Sequence, residues 1–178
     1  ALIPDPTTEE FNQLKENLLD WGCLDTIKVW AGHNIIIDGH NRYQLCQELK
    51  LEFKTEALEF DSREDVLAWI IENQLGRRNL TPQQLSYLRG LQYRQEKKAH
   101  GGDRKTGEKS IPQNEGLMFT AAKLAKKHGV SRATIERDAK FAEAVDVVAE
   151  ALPEAKAKIL QGTSPLSKGE VIAVAEEV

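Results

Sequence analysis

The chain has 178 residues, 40% of them hydrophobic, 29% charged and 6% aromatic, which is enough apolar material for a core and excludes wholesale disorder. No run approaches the ~18 apolar residues of a membrane span and no signal peptide opens the chain, so a soluble cytoplasmic protein with no membrane partner is expected. The net charge of −4 excludes little, because it hides an asymmetry: residues 1–76 hold 6 basic and 15 acidic side chains, 77–109 hold 9 and 3, and 110–178 hold 9 and 10.

In chain order, residues 8–22 place Phe11, Leu14, Leu18 and Trp21 at helical spacing, with Gly22 as a stop. Two short β-rich runs, 27–30 and 34–38, flank Ala31-Gly32-His33 and predict a hairpin. A helix over 40–49 starts directly after Gly39, a third strand is expected over 53–60, and Ser62 with Asp65 predicts a capped helix over 63–75. Thr81-Pro82-Gln83-Gln84 is a strong helix start, with Thr at the N-cap, Pro at the first position and Gln at the third, so a helix should run to about residue 98. Residues 99–117 contain four glycines and a proline among polar residues, which predicts a hinge or mobile loop. Beyond it, helices are expected over 120–128, 132–143, 145–152, 154–161 and 168–177, the last opened by a capping box of Ser167 and Glu170. The expected fold class is α+β: a small mixed-sheet domain over 1–80, a basic connecting helix and loop over 81–117, and an all-α domain over 118–178.

Residues 120–144 read TAAKLAKKHGVSRATIERDAKFAEA. Ala125, Gly129 and Ile135 carry helix-turn-helix spacing: a small residue where two helices cross, a Gly in the turn, and an apolar residue facing back. Ser131 is the natural N-cap of the second helix, which would show Arg132, Ala133, Thr134, Glu136, Arg137 and Lys140 to the major groove of double-stranded DNA, the alternative being an ordinary helical hairpin with a solvated basic face. Lys123, Lys126 and Lys127 on the first helix are placed for phosphates. One position departs from the pattern. Asp138 stands where an apolar residue is usual, and a small shift of the helix would let Ala139 take that role.

Two further segments carry chemistry. Ile35-Ile36-Ile37-Asp38-Gly39-His40-Asn41-Arg42-Tyr43 is a strand, a Gly and a helix start. Amides at such a helix N-terminus attract anions, Gly39 lets a phosphate approach closely, and Arg42 offers a bidentate contact. The alternative is a tight strand-to-helix connection with Arg42 on the surface or paired to an acidic neighbour. In Glu72-Asn73-Gln74-Leu75-Gly76-Arg77-Arg78-Asn79, a carboxylate, a carboxamide and two guanidiniums suit either a magnesium–triphosphate ligand or a solvated helix end.

Taken in that order, the Gly-stopped first helix, IIDGHNRY, ENQLGRRNLTP and the helix-turn-helix resemble the ParB/sulfiredoxin superfamily, and within it ParB-type partition proteins, over nearly the whole chain. In that family the first segment reads Gly-Glu-Arg-Arg and the second Glu-Asn-x-x-Arg, forming a pocket for a nucleoside triphosphate with magnesium, usually CTP; for this chain CTP is expected first and ATP second. The resemblance implies that Gly39, His40, Asn41 and Arg42 lie against the phosphates, with Arg77 or Arg78 beside them because the gap here is one residue longer. It places Glu72 and Asn73 near the metal, and Glu72 near the hydrolytic site of a slow, CTPase-like triphosphatase. His40-Asn41 replaces the family's Glu-Arg, removing one negative and one positive charge.

The resemblance also implies a nucleoid-associated location, a partition ATPase as partner and a homodimer whose stable interface lies in a further C-terminal domain. The start at Ala1 rather than Met fits an expectation that the chain is trimmed from a longer protein. Sulfiredoxin chemistry needs a cysteine directly after the Gly, where this chain has His40, so Cys23 and Cys46 are read as small buried hydrophobes. Some superfamily members are nucleases. For that competing reading His33, His40, Asp38 and Glu72 are the metal ligands or base to consider, and a transcription regulator with an empty first domain is the third.

Overall fold

The structure is a computed structural model, and it describes residues 4–77, 79–101 and 113–177. The described residues divide into two compact units, 5–70 in one and those from 71 onward, together with Pro4, in the other, and the division falls inside one helix, between Ile70 and Ile71.

The first unit begins with α1, Thr8–Trp21. Thr7 caps it and Glu10 returns the bond: Thr7 Oγ1 accepts from the Glu10 amide at 3.2 Å, and the Thr7 amide donates to the Glu10 carboxylate at 2.9 Å. Strands β1 (Ile27–Trp30) and β2 (Ile35–Asp38) form the expected antiparallel hairpin, with a register irregularity between Lys28 and Val29. After α2 (His40–Leu49), β3 (Thr55–Leu58) lies parallel to β1 on its other side, giving the order β2-β1-β3. The sheet is therefore mixed, as expected. β3 is four residues long rather than eight, because only Thr55 to Leu58 find ladder partners on β1. Leu18 of α1 packs on Leu45 and Cys46 of α2, with Phe11, Leu14, Cys23, Leu51 and Phe53 around them. Trp21, spaced for the same stripe, is instead exposed.

Helix α3, Arg63–Leu75, runs across the division. Its cap is the expected one: the Asp65 amide donates to Ser62 Oγ at 3.1 Å, and Ser62 Oγ donates to the Asp65 carboxylate at 2.6 Å. The second unit is helical: α4 (Pro82–Gly101), α5 (Gln113–His128), α6 (Arg132–Ala151), α7 (Pro153–Gln161) and α8 (Lys168–Glu177). Thr81 and Gln84 make the expected reciprocal cap on α4, with bonds of 2.9 and 3.1 Å. Ser167 and Glu170 do the same on α8.

Among the helices, three of the expected boundaries change. Residues 132–151 are one helix rather than two, because Ala144 is buried in the interior and alanine does not break a helix. α4 extends to Gly101 and α5 begins at Gln113, so both take residues of the hinge expected over 99–117, whose remaining residues, 102–112, lie outside the described ones.

The core of this unit centres on α4 against α6. Tyr87 packs with Phe141, Ala142, Ala144 and Val145, and α7 and α8 add Ile159, Leu160 and Val171. A second cluster joins Tyr93 of α4 to Ala121, Leu124 and Ala125 of α5 and Ile135 of α6. At Gly90 the two main helices touch through their backbones: a Cβ placed there would lie 2.1 Å from the Asp138 carbonyl oxygen.

Candidate nucleic-acid interface and anion site

The turn between α5 and α6 follows from three residues. Gly129 takes φ +65°, a left-handed conformation that side chains disfavour, and the Val130 amide then donates to the Ala125 carbonyl at 3.0 Å to close α5. Ser131 starts α6, its Oγ accepting from the Thr134 amide at 3.1 Å. Burial along α6 then alternates as a helix face must: Ile135 and Asp138 point inward, while Arg132, Ala133, Glu136, Arg137 and Lys140 are exposed and Thr134 half-buried. Lys123, Lys126 and Lys127 are exposed on α5.

Several of these cations already have partners. Lys123 reaches Glu96 at 3.0 Å, Lys127 reaches Glu72 at 2.5 Å, and Arg132 lies 3.5 Å from Glu136. Exposed pairs of this kind are each worth about 0–1 kcal/mol, so a phosphate can replace the carboxylate at little cost. The departure at Asp138 is resolved by pairing. Asp138 does turn inward, accepting a 2.7 Å bond from Arg89 Nε, and Ala139 packs beside it on the α5/α6 cluster.

His128 ends α5 directly before the turn, its Nε2 2.8 Å from the Gln92 side-chain oxygen. Burial pushes its pKa below the ordinary 6.5, and the nearby Arg89 and Lys127 add to this against the opposing pull of Glu72 and Glu96. As pH falls the unfolded chain takes up this proton before the folded one. The stability contributed by neutral His128 is therefore present above pH 6.5 and lost as pH drops through the depressed folded value. The urea midpoint should fall on acidification, and His128→Gln should flatten that slope as pH falls below 6.5. An unchanged slope in the variant would assign the acid sensitivity to other groups.

In the first unit, Gly39 is the N-cap of α2 with φ +92°, and no side chain caps the helix. Arg42 folds back over it: a Cβ at residue 39 would lie 3.2 Å from Arg42 Nη2 and 3.1 Å from Ile27. Its Nη1 donates to Asp25 at 3.2 Å and its Nη2 to Asp38 at 3.1 Å. Asp38 thus holds Arg42. Arg42 Nε is buried without a partner. An uncapped first turn beside a guanidinium with one unsatisfied N–H fits an anion such as phosphate, with Asp25, 80% exposed, as the carboxylate it would displace. His40 and Asn41 occupy the same first turn.

In the second unit, Glu72 is exposed and held by Lys127, and Asn73 beside it is half-buried. Their oxygens suit magnesium, which takes one or two protein donors and keeps water and phosphate for the rest. Arg77 is exposed, and Arg78 lies outside the described residues. Among the described residues no three His, Cys, Asp or Glu side chains gather to hold a metal ion. His33, one of the residues weighed for a nuclease, instead stacks on Trp30 with ring centroids 3.6 Å apart. Spacing carried no sign of Asp25, Gln92 or Glu96 as partners of site residues, since each lies 17 or more residues from the group it holds.

Among the described residues no helix is long and apolar enough to cross a membrane. No family model matches the chain, and no curated protein matches it in sequence. A solved structure described as a Pnob8-like ParB-N domain is similar to it, with a TM-score of 0.61 and 15% identity over 99% of this chain and 72% of that one. The chain has a ParB-N-like fold.

Proposed function

We propose that this chain is a sequence-specific double-stranded DNA-binding protein of ParB type, serving plasmid or chromosome partition or transcription regulation. The observation that carries the reading is α6: its first two turns present Arg132, Ala133, Glu136 and Arg137 outward from a Ser131-capped, Gly129-turned start, beside the exposed lysines of α5. In that role α6 enters the major groove as the recognition helix, and Lys123, Lys126 and Lys127 fix register on phosphates. The uncapped turn at Gly39, with Arg42, takes the phosphates of a nucleoside triphosphate, CTP before ATP, which acts as a regulatory ligand. Glu72 and Asn73 are the residues proposed for magnesium, and Arg77 for phosphate. A homodimer and a partition ATPase partner complete the proposal.

Selection of a site from random duplexes, followed by titration, tests it. Arg137→Ala should weaken binding to the selected site about 5- to 150-fold, the range of one lost base contact. Lys126→Ala should weaken all sequences alike and lower the salt slope by about one. Failure to select any site, or an Arg137→Ala variant equal to the parent, removes the DNA reading, and magnesium-dependent cleavage of the duplex would put a nuclease in its place. Calorimetry with CTP, ATP, GTP and UTP plus magnesium tests the second half. Heat that Arg42→Ala abolishes supports it, whereas silence with all four leaves a DNA-binding regulator with no nucleotide.

A further inference from the structure

The chain has only two cysteines, 23 residues apart in sequence, and the fold brings both to one place. Cys23, on the segment after α1, is half-buried and packs against the buried Cys46 of α2. Both are free thiols. We propose that Cys23 and Cys46 are a dithiol site that closes to an internal disulfide on reaction with a low-molecular-weight disulfide such as oxidised glutathione.

The roles of the two sulfurs follow from their surroundings. Cys46 is buried and its thiol is pushed up to about 11, by burial first and then by hydrogen bonding and charge interaction with Cys23, against the lowering effect of Arg42. It is a poor first nucleophile. Cys23 is the more accessible sulfur, its thiol donating to the Asp25 carbonyl at 3.4 Å. The Cys23 thiolate attacks one sulfur of the reagent, forming a mixed disulfide and expelling one thiolate. Cys46 then gives up its proton, attacks Cys23 Sγ, forms the internal S–S bond and expels the second thiolate. The two protein thiols are oxidised and the reagent's disulfide is reduced to two thiols, so electrons and protons balance.

The bond removes the hydrogen bond from Cys23 to the Asp25 carbonyl, and the Asp25 carboxylate is what holds Arg42 Nη1. Oxidation would thereby alter how Arg42 is restrained. That consequence for anion binding rests on the nucleotide reading above, while the disulfide itself does not.

Intact-mass measurement of the full chain tests the site directly. The chain is incubated with oxidised glutathione, then unfolded and treated with a maleimide. The parent chain should lose two hydrogens, about 2 Da, and take up no maleimide, then accept two maleimides after reduction. Cys46→Ala should stop at the mixed disulfide on Cys23, and its far-ultraviolet dichroism shows that it is folded. A parent chain that keeps glutathione adducts, forms a disulfide-linked dimer, or still offers two free thiols overturns the proposal.

Discussion

Gly90→Ala should unfold the helical unit under conditions where the parent chain is fully folded. In an ordinary helix interior this change is favourable by about 0.5–1 kcal/mol, because alanine loses less backbone entropy than glycine. Here the new Cβ would lie 2.1 Å from the Asp138 carbonyl oxygen, 2.6 Å from its carbonyl carbon and 2.7 Å from the Ala142 Cβ. These are backbone atoms and a Cβ of α6, with no rotamer to move. α6 is also tied to α4 and α7, since Tyr87 donates to Asp146 at 2.6 Å, Arg94 donates to Asp146 at 2.9 Å, and Lys156 bonds Tyr87 at 2.6 Å. Relief therefore requires separating α4 from α6, which opens the core around Tyr87, Phe141 and Val145. Overpacking typically costs about 1–3 kcal/mol, and a clash with fixed backbone belongs at or above the top of that range. Gly169→Ala is the matching control, because its nearest neighbour is Ser167 Oγ at 3.9 Å and only the propensity gain should remain. Urea unfolding followed by far-ultraviolet dichroism reads both. A Gly90→Ala midpoint at or above the parent's would mean that the helices do not meet there.

Asp138→Ala should be nearly as damaging, for an electrostatic reason. Asp138 and Arg89 are only 5% and 10% exposed at their side chains and share a 2.7 Å bond. Removing the carboxylate leaves a guanidinium buried without a counter-charge, a loss of about 3–5 kcal/mol. Lys168 sharpens the effect. It bonds Ser86 and lies over the Phe141 ring, and burial lowers its pKa while Asp138 opposes that shift and Arg89 adds to it. Without Asp138 the unfavourable influence of Arg89 on Lys168 is no longer opposed by that carboxylate. The pair as a whole is a different matter, because desolvating two charges offsets most of their attraction. The combined change Arg89→Met with Asp138→Leu should therefore recover most of the stability lost by Asp138→Ala. A double variant no more stable than Asp138→Ala would show that the pair contributes net attraction rather than mutual neutralisation.

These two positions mark where sequence reading stops. Asp138 was legible as an exception to the helix-turn-helix pattern, but not what it paired with, because Arg89 lies 49 residues earlier on another helix. Gly90 gave only a weak local sign, a glycine inside a run of helix formers, and the small residue it meets, Ala142, reads equally well as an ordinary helix former. Arg42 shows the same limit at the anion site. Both of the readings open to it rested on one side chain, and the fold supplies the two acids, Asp25 and Asp38, that hold it. Glu72 and Lys127 were assigned to separate chemistries, and the fold joins them in one ion pair.

What the sequence determined by itself is the set of features decided within a few residues. The reciprocal caps at Ser62, Thr81 and Ser167, the N-cap at Ser131 and the left-handed Gly39 and Gly129 each depend on neighbours no more than three or four positions away. The order of elements followed from them and from hydrophobic period. The tertiary structure alone decided what depends on distant residues: the parallel seat of β3 beside β1, the backbone contact at Gly90, the buried partner of Asp138, and the meeting of Cys23 with Cys46. The physical reason is range. Caps and turns satisfy hydrogen bonds locally, whereas burial, counter-charge and close packing are set by whichever distant segment the core brings alongside.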